Sequence, residues 1–259
     1  MGTKRRAIVT GASKGIGEAI ARTLASRGYD LLLVARSSDR LNALAGELAS
    51  THAIRAVAHP ADLRERGQAD MIAARAVQDL GGIDLLVNCA GATKRGDFFS
   101  LSDDDFLDGF ALKFHGAVSL TRAVWPLLQE ADAGHVINII GAGGRTPSAD
   151  FAIGGAVNSA LMNFTKAMAG RGLADGVRVN GINPGPVETD RLLSRIMRFA
   201  EEQRLSADAA RMELVRKEQV IRFGRPEEVA SLVAFMDSIE GALLHGSIVD
   251  LDGGATKGL

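Results

Sequence analysis

Seven short apolar runs, Ala7–Thr10, Leu31–Ala35, Ile54–Ala58, Ile83–Val87, His135–Ile140, Arg178–Ile182 and Ser247–Leu251, are separated by segments whose apolar residues recur near the helical period. Such continuous apolar runs are strands buried on both faces, and a strand–helix–strand rhythm closes as a parallel sheet with crossover helices. The helical segments are Ile16–Arg27, Asp39–Ser50, Arg64–Leu80, Asp103–Gln129, Gly155–Leu173 and Pro226–Met236, with Asp39 and Ser102 placed as caps. One stretch breaks the rhythm. Glu188–Gln219 is a polar helical insertion before the last α/β unit, and residues 188–223 are expected to form a lid over the strand ends, where open α/β sheets bind ligands. With 46% hydrophobic residues in 259, the chain is expected to form one domain over 1–259.

Thirty basic against 31 acidic residues give net charge −1 with no like-charge block, so neither nucleic acid nor a membrane surface is an expected partner. The basic start Met1–Arg6 runs straight into the first apolar run without the stretch a secretory signal needs. No run approaches the ~18 apolar residues of a membrane span. The single cysteine, Cys89, excludes an intrachain disulfide and argues against a cysteine-held metal. A cytoplasmic protein without a metal is the expectation.

The first run leads at once into Gly11-Ala-Ser-Lys-Gly-Ile-Gly17 and then a helix. Glycines there let backbone amides approach a pyrophosphate at a positive helix end. The order T-G-A-S-K-G-I-G (Thr10–Gly17), N-C-A-G (Asn88–Gly91), N-P-G-P-V-E-T (Asn183–Thr189) and V-D-L-D-G-G (Val249–Gly254) resembles the short-chain dehydrogenase/reductase family, with its 3-oxoacyl-acyl-carrier-protein reductase-like branch closest in look. The resemblance implies a Rossmann-type doubly wound sheet of about seven parallel strands with helices on both faces. It also implies a nicotinamide cofactor: Gly11, Ser13, Lys14, Gly15, Ile16 and Gly17 around the pyrophosphate, Asp62 and Leu63 at the adenine, Asn88, Ala90 and Gly91 along the ribose and nicotinamide, and Pro184, Gly185, Val187 and Thr189 at the carboxamide. Cys89 stands where the family has a second asparagine. An NAD site of this kind wants an acid at the end of the second strand; this chain has Ala35 there, then Arg36, and with Lys14 two cations can converge on a 2′-phosphate. NADP(H) is therefore expected over NAD(H).

Carbonyl reduction in the resembled family uses asparagine, serine, tyrosine and lysine. Counted from Asn88–Gly91 and from Thr165-Lys166, these four positions fall on Lys113, Gly141, Gly154 and Asn158, and none matches. The only tyrosine, Tyr29, precedes the second strand. Hydride delivery leaves an alkoxide that needs a proton, and losing a positioned acid typically forfeits about 10²–10⁴-fold in rate. Asparagine and lysine look exchanged, so Lys113 and Asn158 are the candidate catalytic residues, with a drifted, outward-snorkelling Lys113 as the alternative. The two glycines are expected to open volume against the nicotinamide.

Ser148 and Asp150 read as caps of the following helix, Arg145 as a neighbour of the substrate, and His115 as a solvated or packed residue on another helix face. Arg191, Arg195 and Arg198 face either an anionic substrate or solvent. Three functions stay open: an NADP(H)-dependent oxidoreductase with relocated groups acting on a small molecule such as an iminium or an enone; a silent NADP(H)-binding protein; or the silent subunit of a mixed oligomer. The helices at Asp103–Gln129 and Gly155–Leu173 match those through which the family associates as homotetramer or homodimer.

Overall fold

The computed structural model describes residues 4–258; Met1–Thr3, half of the basic start, and Leu259 lie outside the described residues. Strands β1 (Arg6–Thr10), β2 (Asp30–Ala35), β3 (Ala56–Pro60), β4 (Leu85–Asn88), β5 (His135–Ile139), β6 (Arg178–Pro184) and β7 (Ile248–Leu251) form one sheet in the order β3-β2-β1-β4-β5-β6-β7. Every pairing is parallel. The strand order reverses beside β1, and the crevice between β1 and β4 opens at their C-terminal ends.

Apolar residues alternate between two cores. Ala7, Val9, Leu31, Leu33, Leu85 and Val87 face α1 (Gly15–Ser26), α2 (Ser38–His52) and, further along the chain, the helix Pro226–Met236. Ile8, Leu32, Val34 and Leu86 face the opposite layer, which contains α3 (Gln68–Leu80) and the helix Gly116–Gln129. Coverage on both faces is why the strands read as unbroken apolar runs.

Among the boundaries that differ from the sequence reading, three have a local cause. The second helix starts at Ser38 after Ser37, so Asp39 lies in its first turn and does not cap it. β3 starts at Ala56, because Ala53 takes a left-handed conformation (φ 51°) and Ile54 still belongs to the turn. α3 starts at Gln68 instead of Arg64, because the Asp62 carboxylate binds the Arg64 N–H and holds a turn before Gly67.

The segment Asp103–Gln129 is one continuous helical path with an interruption. α4 (Asp103–Phe110) is capped by Ser102, whose hydroxyl accepts from Asp105 N–H while the Asp105 carboxylate accepts from Ser102 N–H. A π-turn, Ala111–His115, then leads into α5 (Gly116–Gln129). α6 (Ala152–Asp175) follows β5. α7 (Asp190–Gln203) and α8 (Ala207–Lys217) fill the insertion and share a small core of Leu192, Ile196, Ala200, Ala210, Leu214 and Phe223. α9 (Pro226–Met236) packs on α1. Among the described residues no helix is long and apolar enough to cross a membrane.

Candidate active site

The glycine turn, the end of β4 and the end of β6 meet above the crevice. The Thr10 hydroxyl accepts from the N–H groups of Cys89 and Ala90, both at 2.9 Å, which fastens β4 to β1. Gly11 has φ 69°, and a β-carbon there would stand 3.1 Å from the Ala90 backbone; this close approach needs glycine. A β-carbon on Gly15 would meet Thr189 Cγ2 at 3.1 Å, and one on Gly185 would meet Asp252 Cα at 2.8 Å. At Gly17 it would collide with the Gly11 carbonyl. Lys14 stands at the N-cap of α1 and its side chain satisfies no amide, so the first turn keeps donors for an anion. A narrow backbone cradle with open amides at a helix start fits a dinucleotide pyrophosphate.

The remaining cofactor positions divide. Ser13 and Ile16 are half-buried in the turn, and Pro184 and Val187 are buried at the end of β6. Lys14 and Arg36 are exposed, and among the described residues neither makes an ion pair. Asp62 is held by Arg64 at 2.6 Å, which lowers the acid's pKa, and Leu63 packs under Gly116. Asn88 is turned into the sheet: its amide donates to Asn138 Oδ1 at 2.9 Å and Thr121 Oγ1 at 3.1 Å, while its Oδ1 has no protein partner. Ala90 and Gly91 therefore border the crevice, and Asn88 braces them from behind.

Lys113 projects from the π-turn. An extra residue in one helical turn shifts the side chains that follow, and such bulges recur at functional sites. The Lys113 stem lies on Gly91, where a β-carbon would be 2.9 Å from Lys113 Cδ. Its ammonium donates to Asn158 Oδ1 at 2.6 Å and to the Ile140 carbonyl. Asn158 is buried on α6, and its amide lies against Gly141, where a β-carbon would be 3.0 Å from Nδ2. Lys113 thus points inward, which corrects the outward-snorkelling alternative. Burial pushes its pKa down to about 8, Arg191 adds to the fall, and Cys89 opposes it. The same burial pushes the Cys89 thiol up to about 12.

The two glycine positions do not leave a hole. A β-carbon on Gly154 would collide with the ring of Phe151, and one on Gly141 would be 3.0 Å from Asn158 Nδ2. Phe151, three residues before Gly154, and the Asn158 amide fill the volume expected to be open. Arg95 stacks on that ring at 4.3 Å from its centroid and pairs with Asp150 at 2.7 Å. Nothing in the sequence links Arg95 to Phe151, although a phenylalanine one turn before a glycine was a visible sign.

Around this core the helix-cap expectation is corrected and the other residues are placed. Ser148 bonds the Asp150 side chain and neither residue caps α6, whose N-cap is Phe151 with no side-chain bond. Arg145 pairs with Asp250 at 3.4 Å, and Asp250 accepts from Asn183 at 2.8 Å. His115 is exposed, its ring edge-on to Phe114. Of the three lid arginines, Arg195 pairs with Glu218 and Arg198 is exposed on α7. Arg191 instead crosses to the Gly91 carbonyl at 3.3 Å. Among the described residues no group of three or more His, Cys, Asp and Glu could hold a metal.

Residues 5–196 match the short chain dehydrogenase family. An uncharacterized oxidoreductase of Mycobacterium tuberculosis is 33% identical over 96% of this chain and 91% of its own length. The L-sorbose reductase of Gluconobacter frateurii, solved with NADPH and L-sorbose, superposes with TM-score 0.94 at 28% identity, covering 99% of this chain and 98% of that one. An NADPH-bound short chain oxidoreductase of Pseudomonas aeruginosa PAO1, described as containing an atypical catalytic center, superposes with TM-score 0.89 at 27% identity over 98% of both chains. The cradle at Gly11–Gly17, the parallel sheet and these likenesses agree: the chain belongs to the short chain dehydrogenase family.

Proposed function

We propose that this chain is an NADP(H)-dependent oxidoreductase whose usual tetrad is replaced, with Lys113 as proton donor and Asn158 as the group that aims it. The observation that carries this is the 2.6 Å bond from Lys113 Nζ to Asn158 Oδ1 beside Gly91. Bound NADPH supplies the hydride; Gly11–Gly17, Ala90–Gly91, Pro184–Gly185, Val187 and Thr189 would hold it, with Lys14 and Arg36 at a 2′-phosphate and Asp62-Leu63 at the adenine. A tetrahedral ammonium that gives two protons to Ile140 O and Asn158 Oδ1 keeps a third for a substrate oxygen or carbon. A pKa of about 8 leaves it charged at neutral pH and willing to part with that proton.

An enone or an iminium suits this site better than a simple ketone, because a delocalised enolate or a neutral amine product asks less of the acid than an alkoxide does. Supporting the reading, a neighbour of similar fold is itself described as having an atypical catalytic center. Residues 188–223 act as the lid in this scheme, and the sequence motifs favour the 3-oxoacyl-acyl-carrier-protein reductase-like branch without naming its substrate. A cytoplasmic homotetramer or homodimer completes the reading.

A second reading, a silent NADP(H)-binding protein or the silent subunit of a mixed oligomer, draws on Phe151, which occupies the tyrosine's place with a group that cannot donate a proton. One assay separates the two. NADPH oxidation is followed over a panel of ketones, enones and cyclic imines for the native chain and Lys113→Ala. Turnover that drops about 10²-fold or more in the variant supports the enzyme. Tight NADPH binding without turnover on any member supports the second reading.

A further inference from the structure

Four acids on the elements around the strand ends are each paired with an arginine. Asp150 is bound by Arg95, Asp250 by Arg145, Glu188 by Arg211 and Glu218 by Arg195. Two basic side chains meet at Gly91 without any such partner among the described residues. The Lys113 stem lies along its Cα, and the Arg191 guanidinium sits on its carbonyl oxygen at 3.3 Å. Lys113 donates only to a carbonyl and a carboxamide. Asp190, adjacent to Arg191, is exposed in the first turn of α7 and makes no ion pair among the described residues.

The Arg191 charge disfavours the Lys113 ammonium, and a ligand anion lodged on Arg191 removes that cost. We propose that Arg191, beside Lys113, binds a carboxylate, so that the substrate of this site is an oxo, imino or unsaturated acid carrying its carboxylate beside the atom that accepts hydride, with the third Lys113 proton kept for the reacting atom. The assignment rests on the hydride-transfer reading above and adds the substrate class.

The pair also couples binding to proton supply. Lys113 faces Arg191 and Cys89, and Arg191 is what pushes its proton off beyond the effect of burial. A carboxylate lodged on Arg191 cancels that push, so the amine is loaded with its proton when substrate is present. Arg191 is a specificity-determining residue here, placed on α7 in the lid, where a planar fork can grip a carboxylate bidentately.

The test uses 2-oxo-4-phenylbutanoate and its ethyl ester as a matched pair, titrated calorimetrically into the full chain loaded with NADPH. The native protein is expected to bind the acid about tenfold or more tightly than the ester, and Arg191→Ala to abolish that preference while Arg191→Lys retains part of it. The ¹³Cε resonance of Lys113 should titrate at higher pH once the acid is bound, and at higher pH in free Arg191→Ala. Equal binding of acid and ester, or no binding of the acid, overturns the proposal. So does a loss of NADPH affinity in Arg191→Ala as large as the loss for the acid, which would assign Arg191 to the cofactor phosphates. Arg191-dependent binding of the acid with no NADPH oxidation overturns only the hydride-transfer reading.

Discussion

The ring of Phe151 occupies the space into which a side chain on Gly154 would project, and Arg95 closes the outer face of that ring at 4.3 Å. The space beside Gly154 is therefore filled by a phenylalanine, and enlarging the glycine alone is sterically blocked. Gly154→Ala is expected to lower stability by about 1–3 kcal/mol, the usual cost of overpacking. Phe151→Ala in the same chain should relieve the clash, so the double variant melts above the sum of the two single effects. A thermal double-mutant cycle measures this, and additive losses would mean that ring and glycine do not compete for the same space. Gly141→Ser should add its own penalty, because Gly141 sits at φ 135°, which side chains rarely adopt.

At the opposite end of the sheet a buried polar cluster anchors three strand starts. Asp237 accepts from Tyr29 at 2.7 Å, Arg5 at 3.1 Å and His135 Nδ1 at 2.9 Å, and Asn180 donates to His135 Nε2 at 2.9 Å. Asp237→Ala leaves Arg5 and the buried His135 without their acceptor and is expected to cost about 3–5 kcal/mol in chemical denaturation. Burial holds the His135 pKa below its ordinary value despite Asp237. The unfolded chain then binds a proton that the folded chain refuses, so stability is full above about pH 6.5 and falls as pH drops below it. Glutamine at 135 should flatten that acid limb; an unchanged limb would place the titration elsewhere.

Two kinds of information separate here. Apolar runs made the seven strands and their parallel pairing readable, because each strand is buried on both faces by its own residues. Counting from fixed motifs also singled out Lys113 and Asn158, whose side chains the fold brings within 2.6 Å of each other. The packing of Phe151 was not readable, since a vacated slot says nothing about which neighbour moves in. Arg95 lies 56 residues before Phe151 in sequence, and only the folded loop after β4 brings its guanidinium onto the ring. The π-turn under Lys113 was hidden for a related reason: Ala111–His115 keeps helical periodicity, and the bulge shows only in the folded chain, beside α6.

On the proposed reading, cofactor choice depends on Arg36 and Lys14, both exposed at the crevice end of β2 and α1. Arg36→Ala removes one charge-assisted phosphate contact and is expected to weaken NADPH by about tenfold while leaving NADH within about twofold. Fluorescence titration with each nucleotide reads the ratio. Equal loss for both would place Arg36 away from the 2′-phosphate.

Lys113 donates to a neutral oxygen of Asn158 at 2.6 Å, so placing a charge on that oxygen is expected to change the working pH of the site. With the native residue, reduction that depends on the ammonium should decline as pH rises through about 8. Asn158→Asp places a carboxylate on the same ammonium, favours the charged form and moves that decline upward by about 1–3 pH units, with slower proton release below it. Asn158→Leu removes an acceptor of the charged form and moves the decline downward. The sign for stability follows from the same comparison: the folded amine titrates near 8 and the unfolded one near 10.5, so folding stability rises with pH between those values in the native chain, and Asn158→Asp should reduce that rise. Rate profiles of NADPH oxidation and denaturation midpoints from pH 7 to 10.5 test both together. A decline that stays at the same pH in both variants would remove Lys113 as the acid.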